Sequence, residues 1–276
     1  MTGSNRTAYI CRLGELVLKG KNRVAYERKL LHNIRIRVPD DTSVELRGGR
    51  IHLSGTDSQA IESGLSTVFG IAGFAPVFHA EKAVPAVIKA VTRIAADLPN
   101  GSTFRIRARR ADKSLSLTSP ELERTLGAAV LAERPDLRVD LSDYDAAITV
   151  EIRDRAYVYG PERRGLRGLP VGTSGRALLL LSGGIDSPVA GFMMAGRGLI
   201  FDAVHFHSYP FTSEESVEKV AALAKRLAAF VGTLRLFIVP VTETQLRIRE
   251  RGRQREHTLL LRGCMMRIAS RIANRT

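Results

Sequence analysis

LLLLSGGIDSP, residues 178–188, sets a run of four leucines against a serine–diglycine turn and leads into the apolar, helix-compatible Val189–Ala195. The order is a buried strand, a tight turn and a helix start. Such a junction aims several backbone N–H groups and the positive end of a helix dipole at one place, which suits a phosphate. Gly183 and Gly184 let the backbone approach a pyrophosphate with no Cβ between them. The Gly-x-x-x-x-Gly-Lys-Ser/Thr loop is absent, because no lysine follows the glycines. An ordinary strand–helix turn is the plainer reading; the apolar lead-in and the Asp186-Ser187 pair favour the phosphate site.

Downstream of this stretch, strands and helices alternate. Strands are expected at Arg176–Leu181, Ile200–Phe206 and Leu234–Val239, and helices at Asp186–Arg197, Glu214–Val231 and about Thr258–Ala273. Thr212 and Glu215 suit a capping box for the middle helix, with Val217, Val220, Ala224 and Leu227 as its apolar stripe. This alternation argues for a doubly wound parallel sheet. Ligands in such sheets bind at the carboxyl ends of strands, which puts Ser182–Ser187 beside His205–His207.

Upstream the pattern changes. Residues 1–56 read as a small α+β domain: a strand at Ala8–Arg12, a basic helix at Asn22–Arg37, and a hairpin around Gly48-Gly49. Val24, Leu30, Leu31 and Ile34 are expected on that helix's apolar side. Gly14–Arg23 is a cationic, glycine-bounded loop. Residues 57–162 form a second part, in which Phe104–Arg109 alternates apolar residues with arginine. One strand face then packs while the other carries guanidinium groups. Ser119-Pro120-Glu121 reads as a helix start with a capping hydroxyl, and Ile148, Val150 and Ile152 as a strand. Residues 163–175 read as a glycine-rich linker, and 176–276 as the nucleotide domain.

The chain has 276 residues and a formal net charge of +14, from 42 Lys+Arg against 28 Asp+Glu. A polyanionic partner follows, with nucleic acid ahead of an anionic membrane surface. No apolar run approaches the roughly 20 residues of a membrane span, and MTGSNRTAYICRLG lacks a leader's apolar region. Cys11 and Cys264 are too few for a disulfide framework or a zinc site. A cytoplasmic location is expected.

Several of these stretches resemble one family. SGG-x-DS is similar to the PP-loop of ATP pyrophosphatases, which split ATP into AMP and pyrophosphate while adenylating a substrate. GELVLKGKNR, FRIRARRADKSLSLTSPELERTLG and GLPVGTSG…LLLLSGGIDSPVAGFMMAGRG…AVHFHSYPFTSEESVEKV, in that order, resemble the ThiI family of tRNA uracil 4-sulfurtransferases. The resemblance implies a ferredoxin-like domain, a THUMP RNA-binding domain and a PP-loop domain. It also implies synthesis of 4-thiouridine in tRNA and sulfur transfer for thiamine.

The resemblance assigns ATP contacts to Leu180, Leu181, Ser182, Gly183, Gly184, Asp186, Ser187, His205, Phe206 and Arg262. Asp186 is the catalytic carboxylate and the Mg²⁺ ligand; capping of the following helix is its plainer alternative. His205 has its own, as a satisfied core histidine. Lys19, Lys21, Arg23, Arg105, Arg107, Arg109, Arg110 and Lys113 are the expected tRNA contacts. Arg247–Arg255 either extends that surface or forms a solvated loop. Implied partners are tRNA, a cysteine desulfurase as persulfide donor, the sulfur-carrier protein of thiamine synthesis and a second copy of the chain.

The sequence also departs from the family. The chain is expected to be truncated at its C-terminus, so that the PP-loop sheet is incomplete and the sulfur-bearing cysteine is absent. Cys264 does not match that cysteine, and Gly263 stands where a second arginine is common. The competing readings are a tRNA-binding module with an inactive nucleotide site and a different PP-loop enzyme acting on RNA.

Overall fold

A computed structural model describes residues 6–18, 22–112, 116–211 and 214–275. In chain order, β1 (Thr7–Leu13) leads to α1 (Arg23–Arg35), the hairpin β2 (Ser43–Arg47) and β3 (Arg50–Gly55), α2 (Ser58–Leu65) and β4 (Ile71–Ala80). Then come α3 (Val84–Ala96), β5 (Thr103–Arg110), α4 (Ser119–Glu133), β6 (Arg138–Val139), β7 (Ala146–Ile152), β8 (Ala156–Tyr159) and β9 (Arg163–Arg164). The last stretch is β10 (Arg176–Leu180), α5 (Asp186–Ala195), β11 (Ile200–His207), α6 (Glu214–Val231), β12 (Leu236–Pro240), α7 (Thr242–Arg251) and α8 (His257–Ala273).

These elements form two compact units. The first comprises Met1–Leu13, Arg35–Ser66 and Ile71–Gly165. Its sheet runs β2-β3-β1-β4-β8-β7-β5-β6, with β9 added on β4. β4 pairs antiparallel with β1, Tyr9 opposite Pro76, and also with β8, Val77 opposite Tyr159. The sheet is therefore continuous past residue 56, where a domain limit was expected. Gly48 and Gly49 turn the β2–β3 hairpin with φ of 57° and 72°, left-handed values that a two-residue turn of this hand requires.

One core of this unit lies between its sheet and two helices. Phe104, Ile106 and Ala108 of β5 meet Leu122, Leu126 and Val130 of α4 and Val87, Val91 and Ile94 of α3. α4 starts one residue earlier than expected. Thr118, not Ser119, is the cap: its extended backbone lets the hydroxyl accept from Glu121 N, while Glu121 Oε2 accepts from Thr118 N at 2.7 Å. Ser119 is already helical, so its hydroxyl cannot fill that role.

The second unit comprises Gly14–Ile34, Thr67–Gly70 and Leu166–Thr276. Its sheet is parallel, in the order β10-β11-β12. Phe201 and Ala203 of β11 pack against Val220, Ala224 and Leu227 of α6, with Ala195 of α5 beside them. In α1, Leu30 and Ile34 are buried, but Val24, expected on the apolar side, is 63% exposed. The Thr212 half of the expected capping box lies outside the described residues.

The 163–175 segment is not a free linker. Arg163 and Arg164 pair with β4, and the amides of Gly172, Thr173 and Ser174 all donate to the Gly198 carbonyl at 2.8–3.0 Å. Buried backbone groups need partners, and glycines with positive φ at 168, 172 and 175 let the chain reach them. Arg247–Arg251, left open as loop or surface, is helical as the end of α7. No described helix is long and apolar enough to cross a membrane.

Candidate nucleotide site

The site grows from the carboxyl end of β10. Leu181 is buried, and its amide donates to Val204 O at 2.9 Å, so the strand pairing carries to the edge of the turn. The chain then leaves the sheet through Ser182, Gly183 and Gly184 and enters α5 at Asp186. α5 has no side-chain cap: Ile185 occupies the N-cap and is 81% exposed. The first-turn amides are thus left for a ligand or solvent, the arrangement that binds anions. Asp186 is the first residue of the helix and not its N-cap, an acid in the first turn with its side chain exposed.

Serine hydroxyls shape the turn from within. Ser182 N donates to Ser187 Oγ at 2.9 Å, Gly184 N to Ser182 Oγ at 3.3 Å, and the two hydroxyl oxygens lie 3.1 Å apart. Neither glycine is forced by the fold. A Cβ on Gly183 would meet only Lys219 Cδ at 3.7 Å, and one on Gly184 only Ser182 Oγ at 3.5 Å. Neither residue has positive φ. The turn is a cradle whose open side the protein itself does not fill.

His205 stands on β11 beside this turn. Its Nδ1 lies 3.0 Å from Leu181 O. A carbonyl only accepts, so Nδ1 carries the proton and Nε2 is left as an acceptor. That Nε2 is buried without a hydrogen-bond partner among the described residues, so His205 is not a fully satisfied core histidine. Phe206, half-buried, points to the opposite face of β11 by strand alternation. His207 shares the face of His205, and its Nε2 is likewise buried and unpartnered. Sequence reasoning placed His207 near the loop but gave it no role; the i, i+2 spacing was the available signal. Arg262 is exposed on α8 and has no hydrogen bond or ion pair to the loop among the described residues. No group of three or more His, Cys, Asp or Glu that could hold a metal exists among the described residues.

At the other end of β11, Asp202 accepts from Arg235 at 2.6 Å and lies 3.4 Å from Arg176. The Arg235 hydrogen bond holds its carboxyl below the usual range, against the opposing effect of burial. This pair fastens β11 at its amino end, away from the cradle.

The arginine row lies on β5 in the first unit, with Phe104, Ile106 and Ala108 packed inward. Two of its members are tied down. Arg105 donates to Leu141 O at 2.9 Å, Arg107 bonds the Tyr144 hydroxyl, and both guanidinium groups lie within 5.4 Å of the Tyr144 ring centre. Arg109 is exposed and Arg110 half-buried. Arg23 pairs with Glu27 at 2.6 Å. Lys19, Lys21 and Lys113 lie outside the described residues.

A parallel sheet whose glycine turn leads into a helix without a side-chain cap defines an α/β unit of a form suited to anions, here in one chain with an arginine-bearing α+β unit. Family models narrow the class. The ThiI ferredoxin-like domain matches residues 8–75, the THUMP domain 81–159, and the model described as thiamine biosynthesis protein (ThiI) 172–276. A Brevibacillus brevis protein named "Probable tRNA sulfurtransferase" is 42% identical over 99% of this chain and 70% of its own length. One of the same name from Moorella thermoacetica is 44% identical over 97% of this chain and 69% of its own. The crystal structure of a 4-thiouridine synthetase–RNA complex with bound ATP superposes with a TM-score of 0.89 at 36% identity, covering 98% of this chain and 71% of that one. A Pyrococcus horikoshii protein matches with a TM-score of 0.72 at 28% identity, covering 88% of this chain and 82% of that one. The chain belongs to the ThiI family of tRNA sulfurtransferases.

Proposed function

We propose that this chain carries the ATP-binding and RNA-binding parts of a tRNA uracil 4-sulfurtransferase. The observation that supports this most directly is the cradle at Ser182–Ser187, whose glycines answer to no demand of the fold. In this reading the amides of Ser182, Gly183 and Gly184 and the hydroxyl of Ser187 hold the β- and γ-phosphates of ATP. The backbone of Leu180, Leu181 and Phe206, with the His205 side chain, holds the nucleoside, and His205 Nε2, when the ring is neutral, is an acceptor suited to an amino group. Arg262 serves the α-phosphate. Asp186 would hold Mg²⁺ together with phosphate oxygens, a coordination that one carboxylate suffices for, and the ion supplies compensation of phosphate charge.

Adenylation follows from this arrangement. The uridine C4 oxygen bonds to the α-phosphorus, pyrophosphate departs, and AMP becomes a far better leaving group than hydroxide. The terminal sulfur of a persulfide then displaces AMP at C4, and a second thiol attacks the inner sulfur, breaking the S–S bond to leave 4-thiouridine and a disulfide. A cysteine desulfurase is the donor in this scheme, and the sulfur carrier of thiamine synthesis is a second acceptor. Cys11 is no candidate for carrying sulfur, since full burial pushes its thiol well above the ordinary range. tRNA binds through Arg23, Arg105, Arg107, Arg109 and Arg110, with Lys19, Lys21 and Lys113. A cytoplasmic, homodimeric protein fits this role.

The test is exchange of labelled pyrophosphate into ATP with and without tRNA. Stimulation by tRNA is expected. Salt-sensitive tRNA binding without exchange or nucleotide binding would replace this reading with that of an RNA-binding module.

A further inference from the structure

In the phosphate loops that carry Gly-Lys-Ser/Thr, a lysine inside the loop reaches the β- and γ-phosphates. Here the residue after the glycines is Ile185, which offers no charge. The structure brings a cation in from elsewhere. Lys219, in the second turn of α6, comes nearest the turn at Gly183, with Cδ at 3.7 Å from the point where a Gly183 Cβ would stand. Its ammonium is two bonds beyond that Cδ, on a flexible stem that rotation can swing toward the turn.

Lys219 is also available. Its side chain is exposed, and among the described residues it forms no ion pair; Glu215, one turn earlier, and Glu218 beside it do not reach it. Val220, its neighbour in sequence, is fully buried against the sheet, which fixes the side of α6 from which Lys219 emerges.

We propose that Lys219 is a catalytic residue of the adenylation step, its ammonium contacting the β- and γ-phosphates held by the Ser182–Ser187 turn. The inference rests on the ATP reading of that turn. As the uridine oxygen bonds to the α-phosphorus, the bond from that phosphorus to the bridging oxygen breaks, and its electron pair leaves on pyrophosphate. Lys219 keeps its proton and stabilises the charge that accumulates there. A fixed cation aimed at developing charge is the arrangement that accelerates such a step. The loop and α6 thus share a task that other phosphate loops perform within one segment.

Lys219→Met, Lys219→Arg and the unaltered chain should be compared by calorimetric binding of pyrophosphate, ATP and AMP, and by tRNA-stimulated exchange where it is measurable. Lys219→Met is expected to weaken pyrophosphate and ATP about tenfold and leave AMP unchanged, because AMP lacks the phosphates in question. In exchange it should lower kcat more than it raises KM for ATP. Lys219→Arg should recover most of the pyrophosphate affinity. Equal pyrophosphate affinity in the unaltered and Lys219→Met proteins overturns the proposal and leaves the ATP reading standing. So does an equal loss for AMP, which would mark a role in shaping the turn. Failure of the unaltered chain to bind ATP and pyrophosphate overturns both.

Discussion

Two glycine pairs in this chain do opposite work. Gly48-Gly49 closes the β2–β3 hairpin with both residues in the left-handed region, and a Cβ on Gly48 would meet Arg153 Nη1 at 2.9 Å. Gly183-Gly184 has neither constraint: no positive φ, and no atom closer than 3.5 Å to either absent Cβ. The first pair is glycine because the backbone demands it. The second pair is held to glycine by neither backbone angle nor packing, which is what the proposed phosphate contact would account for. Identical dipeptides in one sequence thus occupy a constrained turn and an unconstrained one, and only their surroundings distinguish them.

That contrast is open to direct attack. The largest effect should come from Gly184→Val, which fills the cradle. Nucleotide exchange or pyrophosphate binding should fall by about a hundredfold or more, a loss near 3 kcal/mol, with the urea midpoint unchanged. Gly48→Ala should do the reverse, costing about 1–2 kcal/mol of stability in urea unfolding, because an alanine is strained in the left-handed region. Pyrophosphate binding should be unaffected. If Gly184→Val instead destabilises the protein as Gly48→Ala does, the second pair is structural after all.

Smaller effects sharpen the same separation. Thr118→Ala removes one half of a reciprocal cap in the first unit and should cost roughly 1 kcal/mol in urea unfolding, again without touching nucleotide affinity. Asp202→Asn probes the second unit away from the cradle. A carboxyl lowered by Arg235 contributes stability that is present above about pH 4, its unfolded range, and is lost as pH falls through the lower native value. The stability gap between the unaltered protein and Asp202→Asn should therefore close as urea titrations move from about pH 7 to about pH 3. A constant gap would mean that Asp202 acts through its shape and not its charge.

Much of the second unit was legible in the sequence because its signals agree. Four leucines before the turn, regular strand–helix alternation and the stripe Val220, Ala224 and Leu227 all specify a parallel sheet, and β10, α5, β11 and α6 follow. The buried strand expected at the leucines does not: β10 ends the described sheet, with Leu178 and Leu179 half-buried and Leu180 exposed. Other features carry no such agreement. TETQLRIRER forms α7 with no buried residue, so it lacks the apolar stripe by which helices are read. β4 has a run of buried residues with a proline at 76, a pattern that does not reveal pairing with both β1 and β8. Thr118 and Ser119 carry the same hydroxyl, and only backbone angles decide which one caps. Around the candidate site, the turn between β10 and α5 was readable from residue type and order. Lys219 and the free Nε2 of His207 were not, since both depend on which side of an element faces the turn.

The mutual grip of Ser182 and Ser187 bears on the heat of ligand entry. Two amides that a phosphate oxygen would take already donate to hydroxyls of the same turn. An incoming anion substitutes for those hydroxyls in an already occupied ring of donors. If the proposed site takes ATP, calorimetry should record little enthalpy for each amide gained, and the attraction of opposite charges, more than new hydrogen bonds, would set how tightly the triphosphate is retained.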